Sequence, residues 1–277
     1  MAALLALGAA VAYGVGDFLG GVASRRVPPT AVVLWSHVVG LALLAGLAPL
    51  LGGDVTPRAM AVGAVAGLAG GGGVALFYRA LAVGSMTVVA PVAALLSAAV
   101  PVLAGLASGE HPTGAALGGI AVALAAVVLI SRQGTDTGTT DRQGRALLLS
   151  LVAGLAFGLF FVAVDHAGHD AGIWPLVGAR LASVSLFAVL ATAGVTASSL
   201  TRRAAGAAVG CGVLDASANV LYVLALDHGL LSIVSVLTAL YPASTVLLAR
   251  YVLGERLTPL QRAGLGAAGL ATVLIAA

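Results

Sequence analysis

Five side chains that are costly inside a lipid bilayer stand within long apolar runs of this sequence: Asp17, His37, Arg180, Asp215 and Asn219. A charged group at the centre of a spanning helix costs about 2.5–3.5 kcal/mol on insertion scales, so such residues face partners or a water-filled cavity. Counting helical rise at about 1.5 Å per residue, Asp17 lies roughly 8 Å and His37 roughly 10 Å from one membrane face, close enough to meet. Arg180 and Asn219 each lie about 10 Å from the opposite face, with Asp215 one turn from Asn219 and within reach of Arg180. Two kinds of chemistry are open to the pairs Arg180 with Asp215 and Asp17 with His37. One is a structural bond fastening helices together. The other is proton uptake by a carboxylate, coupled to solute movement, with His37 tuning Asp17 through its charge. Asp17, next to Gly14 and Gly16, is the preferred coupling residue.

The elements that must position these groups follow from composition. Of 277 residues, 60% are hydrophobic and 8% are charged, whereas soluble domains carry about 25% charged residues. Mean hydropathy is +1.11. These values exclude a soluble enzyme, a nucleic-acid binder and a disordered regulator, despite a net charge of +3. All 13 basic residues are Arg, so the lysine of a phosphate-binding loop is missing. Neither a cofactor nor a metal site is expected. Cys211, the one cysteine, has no intramolecular disulfide partner and reads as a small core residue.

A spanning helix needs about 20 largely apolar residues. Breaking the chain at charges, prolines and polar clusters yields ten: 2–22, 30–51, 59–79, 86–107, 113–131, 145–164, 174–195, 203–226, 231–252 and 258–277. The first lacks a basic leader and reads as a retained helix. Short connections make consecutive helices antiparallel neighbours. The polar run at 132–144 reads as a linker between units at 1–131 and 145–277.

The two units repeat. A shift of 145 residues aligns 80–130 with 225–275 without a gap, bringing Gly109-Glu110 onto Gly254-Glu255, the only two Glu in the chain. A shift of 144 brings Tyr13-Gly14 onto Phe157-Gly158. Five helices per unit is an odd number, so the second copy is inverted in the membrane. The expected fold is therefore an all-α integral membrane protein of ten transmembrane helices, arranged as two inverted five-helix repeats. Secondary transporters use this architecture, with a substrate site near the midplane.

The runs LFYRALAVGSMTVVAPVAALLSAAVPVLAGLASGEHPTG and LYVLALDHGLLSIVSVLTALYPASTVLLARYVLGERLTPLQ resemble the two EamA repeats of the drug/metabolite transporter superfamily. The resemblance rests on the aromatic-x-x-Ala-Leu end of the third helix, the proline-bearing fourth helix and the Leu-Gly-Glu-Arg turn before the fifth. It implies a central cavity and the export or exchange of small solutes, amino-acid-like by default, across the plasma membrane. The partners it implies are a small-molecule substrate, the lipid bilayer and, as candidate coupling ion, the proton. A lipid or lipid-intermediate flippase of the same superfamily is one alternative. A protease is another, because Gly14-Val15-Gly16-Asp17 spells the GxGD of intramembrane aspartyl proteases, with Asp215 as second acid; a chance match is expected about 0.15 times at this glycine content.

Pro91 and Pro101 in the fourth helix and Pro242 in the ninth remove helical hydrogen bonds and are expected to kink them. Tyr13, Phe77, Tyr78, Tyr222 and Tyr241 are candidate cavity-lining residues. The glycine run Gly70–Gly73 suggests close helix packing or a hinge. Glu110 and Glu255 precede the fifth and tenth helices, where a carboxylate suits the N-terminus. Eleven Arg fall at one face and Arg58 alone at the other, a bias of the kind that marks a cytoplasmic side.

Overall fold

The computed structural model describes residues 1–131, 140–194, 199–252 and 258–276. The described residues are helical apart from turns and connections. In chain order the helices are α1 (Ala2–Ser24), α2 (Pro29–Leu51), α3 (Pro57–Val83), α4 (Met86–Ala107), α5 (Gly114–Ser131), α6 (Thr140–His166), α7 (Trp174–Thr192), α8 (Arg202–Leu226), α9 (Leu231–Thr238), α10 (Pro242–Val252) and α11 (Pro259–Ala276). A single 3-10 turn, His169–Ala171, precedes α7.

Helix starts follow local chemistry. Thr56 and Thr201 accept hydrogen bonds from the backbone of Ala59 and Ala204, at 3.1 and 3.3 Å, and so cap α3 and α8. At α11, Thr258 Oγ1 accepts from the Gln261 backbone at 3.2 Å while Gln261 Oε1 accepts from the Thr258 backbone at 2.9 Å, a reciprocal capping box.

Among the described residues, eight helical segments are long and apolar enough to cross a bilayer, and a shorter apolar helix covers Gly114–Leu129. α9 and α10 together make one of the eight, Leu231–Val252. Large apolar side chains cover the outside of the bundle: Leu4 is 74% exposed and Leu103 67%. With charged residues so scarce, that surface fits acyl chains rather than water.

The interior is built largely from small residues, which lets helices approach closely. α3 packs along α6 and α7, α1 along α8, α2 along α7 and α8, α4 along α6 and α9, and α5 along α11; α10 lies against α1 and α4. In the glycine run, added Cβ atoms at Gly70 and Gly73 would meet the rings of Phe160 and Phe157 at 2.9 and 3.0 Å. The run gives α6 aromatic rings room against an unbroken α3.

Three features differ from the expected layout. The ninth segment is two helices, because the chain turns at Ala239–Tyr241 and Pro242 opens α10; proline has no N–H to continue α9 but fits the first turn of a new helix. Pro91 and Pro101, by contrast, lie inside a continuous α4. Secondly, α6 starts at Thr140, so the end of the expected 132–144 linker is already helix. Thirdly, Glu110 caps α9 of the other half instead of its own α5: Oε1 accepts from the Leu231 backbone at 2.6 Å and Oε2 from Ser232 at 3.0 Å. Glu255 and residues 132–139 lie outside the described residues.

The same membrane face carries two more bonds between connections, the first joining the two halves and the second lying within the second half. The Asp54 backbone donates to the Asp170 carbonyl at 2.8 Å, and His169 Nδ1 lies 2.9 Å from Asp227 Oδ1. At the opposite face Arg79, Arg142 and Arg145 line one pocket.

Candidate functional site

Arg180 organises the interior of the bundle. It sits in the first half of α7, only 7% exposed. Its Nη2 donates to Asp215 Oδ2 on α8, closing an ion pair. Its Nη1 donates to His37 Nε2 on α2 at 3.0 Å. Guanidinium groups only donate, so His37 Nε2 accepts and the ring proton resides on Nδ1. From there His37 donates to Ser183 Oγ at 2.9 Å, and that hydroxyl donates to the Arg180 carbonyl at 3.2 Å. His37 therefore turns to Arg180 and Ser183, not to Asp17 as the helix register suggested. Equal depth did not bring the two together, because Arg180 claims the ring nitrogen that faces the interior.

Asp17 and Asn219 are less completely satisfied. Among the described residues Asp17 has no hydrogen-bond or ion-pair partner. Asn219 is 3% exposed; its Nδ2 donates to the Asp215 carbonyl at 2.7 Å, which leaves Oδ1 without a partner.

These groups border one narrow cavity, its open volume about 50 Å³, room for a few water molecules. Tyr13 and Asp17 of α1, Arg180 of α7, and Asp215 and Asn219 of α8 line it, together with Tyr241 from the α9–α10 turn. Phe157, Phe160 and Phe161 of α6 form much of the rest, with Gly70 and Val74 of α3 and Ser97 of α4. Pro101 lacks an N–H, which frees the Ser97 carbonyl, four residues earlier, from its usual helical partner. Tyr241 donates its hydroxyl proton to the Ala90 carbonyl at 3.3 Å, joining the broken helix to α4.

The other candidate aromatics stand behind this wall. Phe77 is fully buried and packs edge-on against Phe157 and Tyr241, with ring centroids 5.6 and 6.4 Å apart. Tyr78 bonds Cys211 Sγ at 2.8 Å. Tyr222 bonds Ser235 at 2.8 Å and lies 4.4 Å, centroid to centroid, from Phe161. None of the three lines the cavity.

Eight apolar spans among the described residues, with ionisable residues from both halves around one interior cavity, give the layout of a solute carrier. Its sequence matches the EamA-like transporter family over residues 1–132 and again over 144–277. The chain belongs to that family. Curated proteins offer no match to the sequence. A solved structure described only as "Crystal structure of protein" is similar in fold, with a TM-score of 0.77 at 18% identity, covering 99% of this chain and 95% of the other. This EamA-like protein is thus a multi-pass membrane protein of a transporter family.

The α6 phenylalanines escaped the sequence reading. Phe is an ordinary core residue in an apolar helix, and composition does not distinguish a cavity wall from packing. One signal was present: Phe157 is the repeat mate of Tyr13, which was singled out.

Proposed function

We propose that the protein is a secondary-active transporter that exports or exchanges small metabolites, amino-acid-like or related solutes, across the plasma membrane by alternating access. The two halves, 1–131 and 145–277, act as inverted five-helix repeats rocking about the cavity, and proton binding at Asp17 supplies the coupling. The observation that carries this reading is the cavity itself: both halves line it, and it holds a carboxylate with no protein partner, Asp17, inside the span of α1.

Matched contacts support the repeat. A methyl group on Gly14 would meet the Tyr241 carbonyl, and one on Gly158 would meet the Leu96 carbonyl. Positions 14 and 158 are repeat mates at a shift of 144, and 96 and 241 at 145. Likewise Gly67 abuts the Ala179 carbonyl and its mate Gly212 the Ser36 carbonyl. At the level of helices, α1 lies along α8 as α6 lies along α3, the exchange that a two-fold axis in the membrane plane generates.

The aspartyl-protease alternative loses support from the ion pair. Asp215 is held by Arg180 and is not free to share a proton with Asp17, as a catalytic dyad requires.

The test is transport in proteoliposomes loaded with a metabolite mixture. The parent protein should redistribute a subset of solutes at a rate that varies with pH, and Asp17→Asn should flatten that pH dependence. An unchanged pH profile in Asp17→Asn would remove Asp17 from coupling.

A further inference from the structure

The cavity has two unlike walls. Its polar lining comes mainly from α1, α7 and α8, and its apolar lining from α3 and α6. On the repeat reading, on which this inference rests, Tyr13 aligns with Phe157, Asp17 with Phe161 and Asn219 with Val74. At each of these aligned pairs one member is polar and the other apolar, the polar one lying in the first half for Tyr13 and Asp17 and in the second for Asn219, and all border the same space.

The polar wall has a definite sense. With both carboxylates ionised, Asp17 and Asp215 set two negative charges against the single positive charge of Arg180, and His37 is neutral by its hydrogen bonds. The Arg180 guanidinium is engaged by Asp215 and His37, and Asn219 Nδ2 by the Asp215 carbonyl. Of the lining groups left without partners, the Asp17 carboxylate and Asn219 Oδ1 only accept, and the Tyr13 hydroxyl can donate one proton and accept. A buried acceptor without a donor is costly, and an ammonium group brings three donors and one compensating charge.

We infer that the cavity binds an amphipathic monocationic amine, its ammonium donating to Asp17 and Asn219 Oδ1 and its hydrocarbon or aromatic body lying against Phe157, Phe160 and Phe161. An organic acid finds no free cation in this wall. A small amine without an apolar body leaves the α6 rings uncovered.

The probe is radiolabelled phenethylamine, bound to the purified full-length protein in detergent and displaced by unlabelled phenethylamine, 3-phenylpropionate, ethylamine or 2-phenylethanol. Phenethylamine should compete at least tenfold better than the other three. Asn219→Leu, similar in volume but without the acceptor, should weaken phenethylamine binding at least tenfold while keeping the parent melting temperature. Should that variant fail to fold, Asp17→Asn serves instead and should erase the preference for phenethylamine over 2-phenylethanol. Equal or tighter binding of 3-phenylpropionate, or unchanged selectivity in a folded variant, overturns the inference. The transport reading fails separately: proteoliposomes that carry acids with a pH dependence lost in Asp17→Asn would sink the amine site and leave transport standing. Selective amine binding without movement of any solute would do the reverse.

Discussion

Arg180 and Asp215 illustrate how much a single residue pair depends on its partner in a low-dielectric interior. Removing one member of a buried pair leaves an uncompensated charge and typically costs about 3–5 kcal/mol, whereas replacing both with apolar groups of similar volume is often neutral. Asp215→Ala and Arg180→Ala should therefore each lower the melting temperature in detergent sharply, and Arg180→Met combined with Asp215→Leu should recover most of that loss while binding no substrate. A double variant as unstable as the singles would mean that the pair contributes more than mutual neutralisation. The identities of these polar residues were legible in the sequence, since charge within an apolar run is conspicuous. Their pairing was legible only where geometry left one choice. Arg180 could reach Asp215 from its register, but the depth that made His37 a plausible partner of Asp17 says nothing about azimuth, and a two-sided group such as imidazole goes to the strongest nearby donor.

Helices impose the next constraint, because polar groups meet only if backbones come close enough. Gly67 and Gly212 bring α3 onto α7 and α8 onto α2, each against a carbonyl oxygen that a Cβ would strike. Overpacking of this kind costs about 1–3 kcal/mol. Gly67→Ala and Gly212→Ala should destabilise the protein to similar extents in thermal unfolding, as repeat mates in matched contacts; tolerance of one and intolerance of the other would count against the repeat. Glu110 is a second element-scale device. Its carboxylate accepts two backbone N–H groups at the start of α9, where an anion also suits the helix dipole. Glu110→Gln retains an oxygen but loses the charge and one acceptor, so a fall of about 1.5–3 kcal/mol in stability is expected from the usual strength of charged hydrogen bonds, read as a lower unfolding midpoint. Helix positions could be read from hydropathy alone, and the segments from 2–22 to 203–226 lie within three residues of the helices found, apart from the earlier start of α6 and the end of α3, which runs four residues further. The break at Ala239–Tyr241 could not, because a proline in an apolar run is compatible with a kink, a bulge or a fresh start. Nor could the target of Glu110, since a turn residue close to one helix in sequence can lie closer to another in space.

At the scale of the whole molecule, bonds cross between the halves in the interior and also, through the connections, at one face. Asp54 with Asp170 and Glu110 with the start of α9 both bridge the halves at one face, where His169 and Asp227 also tie together two connections of the second half. A protein that works by rocking its halves must open that face in one of its conformations, and the bridging bonds must then break. Locking them should stop the cycle. Cysteines at Asp54 and Asp170, whose backbones are already hydrogen-bonded at 2.8 Å, are close enough for a disulfide, and the native Cys211 is buried away from the reaction. Oxidised Asp54→Cys/Asp170→Cys protein should lose transport in proteoliposomes, regain it on reduction and bind substrate in both states, because the cavity lies deeper than the cross-link. Full transport by the oxidised protein would show that solute crosses without separation of the halves at this face, and the rocking mechanism would have to give way to a local gate within one half.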